Sequence, residues 1–441
     1  MEIIDYIKDK EIAILGFGRE GRSTYNFIRK YLKDKEITII DMNEQISKDF
    51  NDKYVKFVLG DDYLNCLDKY ELIIKTPGIS LKDIDINCNI TSQLELTLEY
   101  YKDQIIGITG TKGKSTTSSL IYQILKDQGY DVYLLGNIGI PIFDYIDELN
   151  KDTILVIEMS ALQLEYVKYS PKYGIILNLF EEHLDYFNNL DNYYKAKLNM
   201  FKYQDNNDYS LYYGNNQILN SYINDNLLGN KIKISNDIYI NNDYIYHHKK
   251  KLYNTKDKRY LLGNHNLINI MFSLAISELF KLDIDKTIDT INNFKSLENR
   301  LELVGTYNDI TYYNDTIATI PEATIYAIET LKNVDTIIIG GMDRGIEYQK
   351  FAKYLAQSNI NNIICMKDTG YKIGKMIENI HTNNKIIYVK DLEEAVEIAK
   401  NNTKKSKICL LSPAAPSYNE FKNFEEKGKK YKKLVRGEII C

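Results

Sequence analysis

Short runs of β-branched and other apolar residues recur along the chain, each followed by a longer stretch whose apolar positions fall at helical spacing. EIAILGFG (11–18), EITIID (36–41), ELIIKTPG (71–78), IIGITG (105–110), TILVIEMS (153–160) and GIILNLF (174–180) read as strands. Runs this continuously apolar imply strands buried on both faces, the condition of parallel sheets covered by helices. The pattern predicts an α/β fold in three segments. Residues 1–93 hold one small strand–helix set. Residues 94–297 hold a second, whose first strand is 105–109. Residues 298–441 open with ITYYND (310–315) and continue through VDTIIIGG (334–341), NIICMK (362–367), KIIYVK (385–390) and KICLLSP (407–413). Helix-length gaps separate those strands, so this segment reads as a doubly wound domain. Inside the second segment, residues 205–260 are dominated by Asn, Asp, Tyr and Lys, and read as short exposed strands and loops.

Composition narrows the function classes. Of 441 residues, 44% are hydrophobic and 27% charged, values that allow several buried cores. The net charge of -5 gives no electrostatic reason to expect nucleic-acid or anionic-membrane binding. The first residues, MEIIDYIKDKEIAIL, carry charges throughout, and no apolar run is long enough to span a bilayer. Cys66, Cys88, Cys365, Cys409 and Cys441 are odd in number and lack C-x-x-C spacing. They predict neither a disulfide framework nor a zinc site, and fit a reducing, cytoplasmic compartment.

The strongest local signal is GITGTKGKST (107–116), between an apolar strand and the helical stretch SSLIYQILKDQG. Gly110 and Gly113 let the backbone of Thr111 and Lys112 wrap closely around phosphate oxygens. The loop amides and helix N-terminus add positive potential, and Lys114 a formal charge. Ser115 and Thr116 can place a hydroxyl on Mg²⁺. Ile108 stands where the strict P-loop pattern has Gly, so the alternative is a glycine-rich turn with a chance lysine.

A second glycine pattern lies near the N-terminus. Gly16, Gly18 and Gly21 form G-x-G-x-x-G after a strand, and Asp41 closes the next strand. Alone these would suggest an NAD-dependent dehydrogenase, with the acid on a ribose. The physics requires only that a diphosphate sit at that helix N-terminus, and a UDP-sugar meets it equally well. Thr76, Pro77 and Gly78, in KTPGIS, offer a second turn facing the same ligand, or simply end a strand.

Bound ATP would need divalent cations held by oxygen ligands from nearby strand ends. Glu158 and Ser160, in EMSALQL, and His183, in FEEHLDYF, occupy such places. Each alone has a structural reading; with a phosphate loop upstream they favour a Mg²⁺ site. Lys197 shares a helical face with Tyr194, Leu198 and Phe201. A lysine so placed usually snorkels to solvent; the alternative is a functional lysine with a modified or neutralised head group.

Taken together, these motifs resemble the Mur ligase family over essentially the whole chain. The resemblance is carried by GITGTKGKST (107–116), GNIG (136–139), EMSALQL (158–164), the His183 loop, YYKAKL (193–198), GNHNLIN (263–269), ENRLELV (298–304), YYNDTIAT (312–319) and LLSPAAPSYNEFKNFEEKG (410–428). The C-terminal motif is most similar to that of the glutamate-adding branch. The resemblance implies an N-terminal Rossmann-like UDP-binding domain, a central P-loop ATPase-like domain, and a C-terminal Rossmann-like domain that completes the nucleotide and amino-acid sites. It implies a monomer whose substrates are UDP-N-acetylmuramoyl-L-alanine, D-glutamate and ATP, and a place in peptidoglycan precursor synthesis. ATP would phosphorylate the alanine carboxylate, and the glutamate amine would capture the acyl phosphate.

Residue by residue, the resemblance places Lys114 on phosphate and Ser115 and Thr116 beside one of two Mg²⁺ ions. Glu158 and His183 become metal ligands. Lys197 becomes a carbamate, an anionic oxygen ligand where an ammonium would repel the metal. Asn137, Ser160 and Gln163 surround the sugar and acyl phosphate. Asn266, Arg300 and Asp315 contact nucleotide, and Thr319, Arg344, Ser417 and Phe424 hold glutamate. The sequence departs from the family pattern at Glu182, Asn299, Ile317 and Arg344. Arg344 keeps a planar fork suited to a carboxylate. The same chemistry with L-glutamate remains open at this level.

Overall fold

The computed structural model describes residues 2–82, 84, 87–181, 184–187, 189–223, 226–295, 298–380 and 382–438. Three sheets account for the strands. The first has β1 (Ile12–Leu15), β2 (Ile37–Asp41), β3 (Val55–Leu59), β4 (Leu72–Lys75) and β5 (Asn89–Thr91), in the order β3-β2-β1-β4-β5. All its pairings are parallel. The chain leaves β1 toward β2 and later returns to β4 on its other side, so the switch point lies between β1 and β4. The turn at Gly16 and the turn at Thr76 both end at that crevice. The links around β3 are 3-10 turns, Glu44–Asp49 and Tyr63–Lys69, rather than α-helices. β3 is an edge strand of intermediate burial, so it demands no full amphipathic helix above it.

The second sheet contains β6 (Ile105–Thr109), β7 (Val132–Gly136), β8 (Ile154–Glu158), β9 (Tyr173–Ile176), β10 (Tyr209–Tyr213), β11 (Asn230–Ile234), β12 (Ile238–Asn241), β13 (Tyr244–His247) and β14 (Lys250–Asn254). Its order is β14-β13-β12-β11-β10-β9-β6-β8-β7. The stretch 205–260 thus differs from the exposed strands its composition suggests. β10 is a parallel neighbour of β9 with Ser210, Leu211 and Tyr212 buried. Only β12–β14 form the antiparallel extension, with the polar residues outward. The tyrosines misled the reading because an aromatic ring can fill a core while its hydroxyl reaches a polar partner, as Tyr253 does toward Asn292.

The third sheet has β15 (Glu302–Tyr307), β16 (Ile310–Asn314), β17 (Val334–Gly341), β18 (Asn362–Asp368), β19 (Lys385–Tyr388) and β20 (Lys407–Leu411), in the order β15-β16-β20-β17-β18-β19. β15 is the antiparallel edge of an otherwise parallel sheet. Two apolar layers cover its faces, one around Ile337, Ile363 and Phe351, the other around Ile338, Ile364 and Tyr431.

The chain forms two compact units, residues 1–258 with 265–292, and 259–264 with 293–441. In the first unit one core runs from the five-stranded into the nine-stranded sheet, through Phe27, Leu94 and Phe143. Among the described residues no helix is long and apolar enough to cross a membrane.

Candidate active site

β6 ends in the loop 110–113, and the helix Lys114–Asp127 starts from it. Gly110 has φ +150° and Gly113 φ +89°, backbone that an L side chain rarely adopts. A side chain there would also displace Asn269, since a Cβ on Gly113 would lie 2.8 Å from Asn269 Oδ1. The loop is held from the next strand over. Thr111 N donates to Asn178 O (3.1 Å), Lys112 N to Asn178 Oδ1 (2.9 Å), and Asn178 Nδ2 to Lys112 O (2.9 Å). The Thr111 hydroxyl meets Tyr193 OH at 3.1 Å. These bonds spend the Thr111 and Lys112 amides on Asn178, so the two do not face phosphate as the sequence suggested; they fix the loop so that the N-terminus of the helix after it is what offers an anion its amides.

Two lysines converge on this loop. Lys114 Nζ donates to Gly110 O (2.8 Å) and Thr111 O (3.2 Å). Lys197, on the helix Leu190–Lys202, is 2% exposed and donates to the same Gly110 carbonyl at 3.0 Å, with Thr109 Oγ1 at 3.5 Å. Its ammonium also lies 4.9 Å from the Tyr193 ring centroid. Lys197 therefore does not snorkel; it is buried against the 110–113 loop.

Glu158 closes β8 beside β6 and is 2% exposed. Its Oε1 accepts from Asn137 Nδ2 at 2.8 Å, while Oε2 is buried with no hydrogen-bond partner. A buried carboxylate oxygen without a donor is costly unless a cation completes it, so Glu158 fits a hard divalent ion. Ser115 and Thr116 bring hydroxyls to the first helical turn of the phosphate loop. Among the described residues no three His, Cys, Asp or Glu side chains cluster. His183 lies outside the described residues. Two residues past Glu158, Ser160 caps a short helix: Gln163 N donates to Ser160 Oγ (3.2 Å), and Gln163 Oε1 accepts from Ser160 N (3.0 Å) and Oγ (3.1 Å). Asn266 lies near the start of the helix Asn264–Leu279, accepting from Asn269 Nδ2 at 3.0 Å. The neighbouring His265 is pushed down to about 4, first by burial and then by the charge of Lys112.

At the N-terminal sheet, a Cβ on Gly16 would meet Thr76 Oγ1 at 2.1 Å, and one on Gly21 would meet Gly16 O at 2.1 Å. Gly18 and Gly78 border open space, so backbone is accessible there. Asp41 uses both oxygens on backbone, accepting from Phe17 N (2.6 Å) and Asn43 N (2.8 Å). It therefore shapes the glycine turn directly. Thr76 Oγ1 donates to Leu15 O at 3.0 Å, tying the 76–78 turn to β1.

In the second unit, Asp315 follows β16 and is pushed up to about 7 by burial, opposed by Ser412, the Leu301 amide and Arg300. Ser412 Oγ donates to it at 2.8 Å and Leu301 N at 3.1 Å. Arg300 Nε is buried with no hydrogen-bond partner. Asn299, at the departure before Arg300, accepts from Asn314 Nδ2 (2.9 Å) and Thr316 Oγ1 (3.2 Å), so it braces the 314–316 turn. Thr319 follows that turn, half-buried. The loop 341–345, carrying exposed Arg344, is zipped to the loop before Ser417: Gly340 N donates to Pro413 O (2.9 Å) and Met342 N to Pro416 O (2.7 Å). Ser417 Oγ is buried with no partner, and Phe424 begins the helix Phe424–Arg436. From one turn into that helix, buried Lys427 donates to Gly340 O at 2.9 Å.

Sequence reasoning missed Asn178, Tyr193, Asn269 and Lys427. Tyr193 begins the YYKAKL run and Lys427 sits in the C-terminal motif, so both carried a signal. Asn269 likewise ends the GNHNLIN run, whereas Asn178 acts only through contacts that the fold creates.

The Mur ligase middle domain matches residues 108–277, and the Mur ligase, glutamate ligase domain matches residues 299–415. Relatives named UDP-N-acetylmuramoylalanine--D-glutamate ligase come from Clostridium botulinum and Clostridium tetani. The first is 32% identical over 450 aligned positions, covering 98% of this chain and 97% of the relative. The second is 33% identical over 456, covering 99% and 98%. The fold is shared with the MurF ligase of Thermotoga maritima in complex with ADP (TM-score 0.59, 16% identity, 97% and 95% of the two chains). It is shared equally with the UDP-N-acetylmuramate-alanine ligase MurC of the same organism (TM-score 0.59, 16% identity, 97% and 99%). With relatives above 30% identity along nearly its full length, this chain belongs to the Mur ligase family.

Proposed function

We propose that this chain is an ATP-dependent ligase that adds D-glutamate to UDP-N-acetylmuramoyl-L-alanine, acting as a cytoplasmic monomer in peptidoglycan precursor synthesis. We assign residues 1–93 to the UDP-substrate, 94–297 to ATP, and 298–441 to nucleotide and glutamate. The observation that carries the reading is the meeting of Lys114 and Lys197 at the Gly110 carbonyl of a glycine-rich strand-to-helix loop, with Glu158 and its unsatisfied oxygen at the end of the strand next to it. A dehydrogenase has no use for this arrangement. The glycine turn at 16–21 serves the diphosphate of the UDP-sugar instead.

In this reading the N-terminal amides of the helix Lys114–Asp127 and the Lys114 side chain bind the ATP phosphates and offset charge as the γ-phosphoryl moves to the alanine carboxylate. Glu158, Ser115, Thr116, His183 and Lys197, the last as its carbamate, would hold two magnesium ions. Bound magnesium would neutralise phosphate charge and polarise the transferring group. Asn137, Ser160 and Gln163 orient the acyl end. Asn266, Arg300 and Asp315 contact nucleotide. Arg344, Thr319, Ser417 and Phe424 hold glutamate so that its amine attacks the acyl phosphate, giving amide, ADP and phosphate. The test is phosphate release from ATP in the presence of UDP-muramoyl-alanine with D- or L-glutamate. Release dependent on the D enantiomer is expected; none with either enantiomer refutes the ligase, and preference for the L enantiomer refutes the stereochemistry.

A further inference from the structure

A substrate with a diphosphate at one end and a reacting carboxylate at the other is held on two sheets at once. The distance between the turns that hold its two ends then decides where the carboxylate lies. Tyr186 bridges the segments that carry those turns. It sits on the short helix Leu184–Phe187 after β9, and its hydroxyl lies 3.1 Å from Ile79 O and 3.1 Å from Glu165 Oε2.

Each contact reaches a different anchor. Ile79 closes the 76–79 turn, its N–H donating to Thr76 O at 3.5 Å. Its side chain lies against the N-terminal glycine turn, 3.0 Å from where a Cβ on Gly16 would stand. Glu165 follows the Ser160–Gln163 turn, and its stretch is tied to the helix that carries Lys197. There Asn199 Nδ2 donates to Leu164 O (2.8 Å) and Glu165 O (3.3 Å). Beside the phenol, contacts continue to the 110–113 loop. Phe187 packs on Tyr193 with ring centroids 5.5 Å apart, and Tyr193 OH meets Thr111 Oγ1 at 3.1 Å. Burial, and then the Glu165 carboxylate, raise the Tyr186 phenol, so it stays protonated and donates. Its one hydrogen is shared between a carbonyl and a carboxylate on two separate segments, which holds the oxygen between them.

We propose that Tyr186 is a positioning residue for carboxyl activation: its hydroxyl registers the 76–79 turn of the first sheet against Glu165, and so against the acyl-end turn of the second. The role rests on the ligase reading above. Tyr186 need not touch the reacting atoms. UDP alone engages only the first anchor, whereas the whole substrate spans both. A change of register is therefore felt in turnover rather than in UDP affinity, and small misplacements of reacting groups are expensive in rate.

The test is steady-state kinetics on the full chain with Tyr186→Phe, Glu165→Ala and the double variant. Tyr186→Phe keeps the ring and loses both contacts, and should lower kcat about tenfold, which is about 1.4 kcal/mol of barrier. KM for ATP and glutamate, and calorimetric binding of UDP alone, should stay within about twofold. Glu165→Ala leaves the hydroxyl on Ile79 O, and should cost about threefold in kcat. In the Tyr186→Phe background, Glu165→Ala should cost less than about twofold more, because the group it acts through is gone. Near-normal kcat for Tyr186→Phe overturns the role, as do costs that multiply in the double variant, or loss of UDP binding in step with kcat. If the unmodified chain releases no phosphate, the ligase reading itself fails, an outcome distinct from any of these.

Discussion

Lys75 offers a test of the electrostatics beside the N-terminal glycine turn. It closes β4, is 4% exposed, and its ammonium donates to Thr76 O at 3.2 Å. Burial pulls it from 10.5 down to about 8, with the carboxylates of Glu165 and Glu20 opposing the fall. A base depressed in the fold stabilises fully above its unfolded value and loses that contribution as pH falls toward its folded value. At pH 7 the lysine is charged in both states, and its burial costs about 3 kcal/mol; at pH 10 the folded lysine is neutral, and about 1 kcal/mol of cost remains. Lys75→Met removes this cost but leaves Thr76 O short of a donor, a loss of about 1 kcal/mol. The variant should therefore be about 2 kcal/mol more stable than the parent at pH 7 and about equal at pH 10. Urea unfolding of both proteins at the two pH values measures the difference, in which tyrosine ionisation common to both cancels. A variant less stable at pH 7, or an advantage that does not shrink by pH 10, would refute the reasoning.

Three further outcomes follow from the site. Lys114→Ala should abolish ATP-dependent phosphate release, and normal turnover would remove the phosphate-loop assignment. Lys197→Ala should cripple turnover, with partial recovery in added formate or acetate, whose carboxylate stands in for the carbamate; full activity without any additive would rule out the carbamate. Arg344→Ala should raise KM for glutamate by about tenfold or more, as expected for a lost bidentate ion pair, while KM for ATP moves little. An unchanged glutamate KM would contradict that placement.

The sheets were legible where strands are buried on both faces. β1, β4, β6, β8 and β17 are uniformly or almost uniformly buried and stand out as apolar runs. β3 is a partly exposed edge strand and β11 a partly exposed inner strand, and their lysines hid them. The 3-10 links in the first sheet were illegible for a related reason: no long apolar stripe was needed there, so nothing distinguished them from helices or loops. β10 was concealed by tyrosines that composition counts as ambiguous.

The site divides along the same line. Gly110, Gly113 and Lys114 could be read because one short loop must meet several local demands at once: positive φ, close backbone approach and a fixed charge. Glu158 was legible as a strand-end acid, but its partnerless oxygen exists only because β6 and β7 pack on both sides of β8. Lys197 shows the limit most clearly. Its helical spacing is that of an ordinary amphipathic face, and snorkelling was the default. What sets it apart is Gly110 O, 87 residues away in the chain yet 3.0 Å from its nitrogen. Pattern locates the groups that satisfy a demand of their own backbone. Groups whose surroundings are set by a distant partner become visible only when the fold supplies that partner, and in this chain the buried Lys197 is one of them.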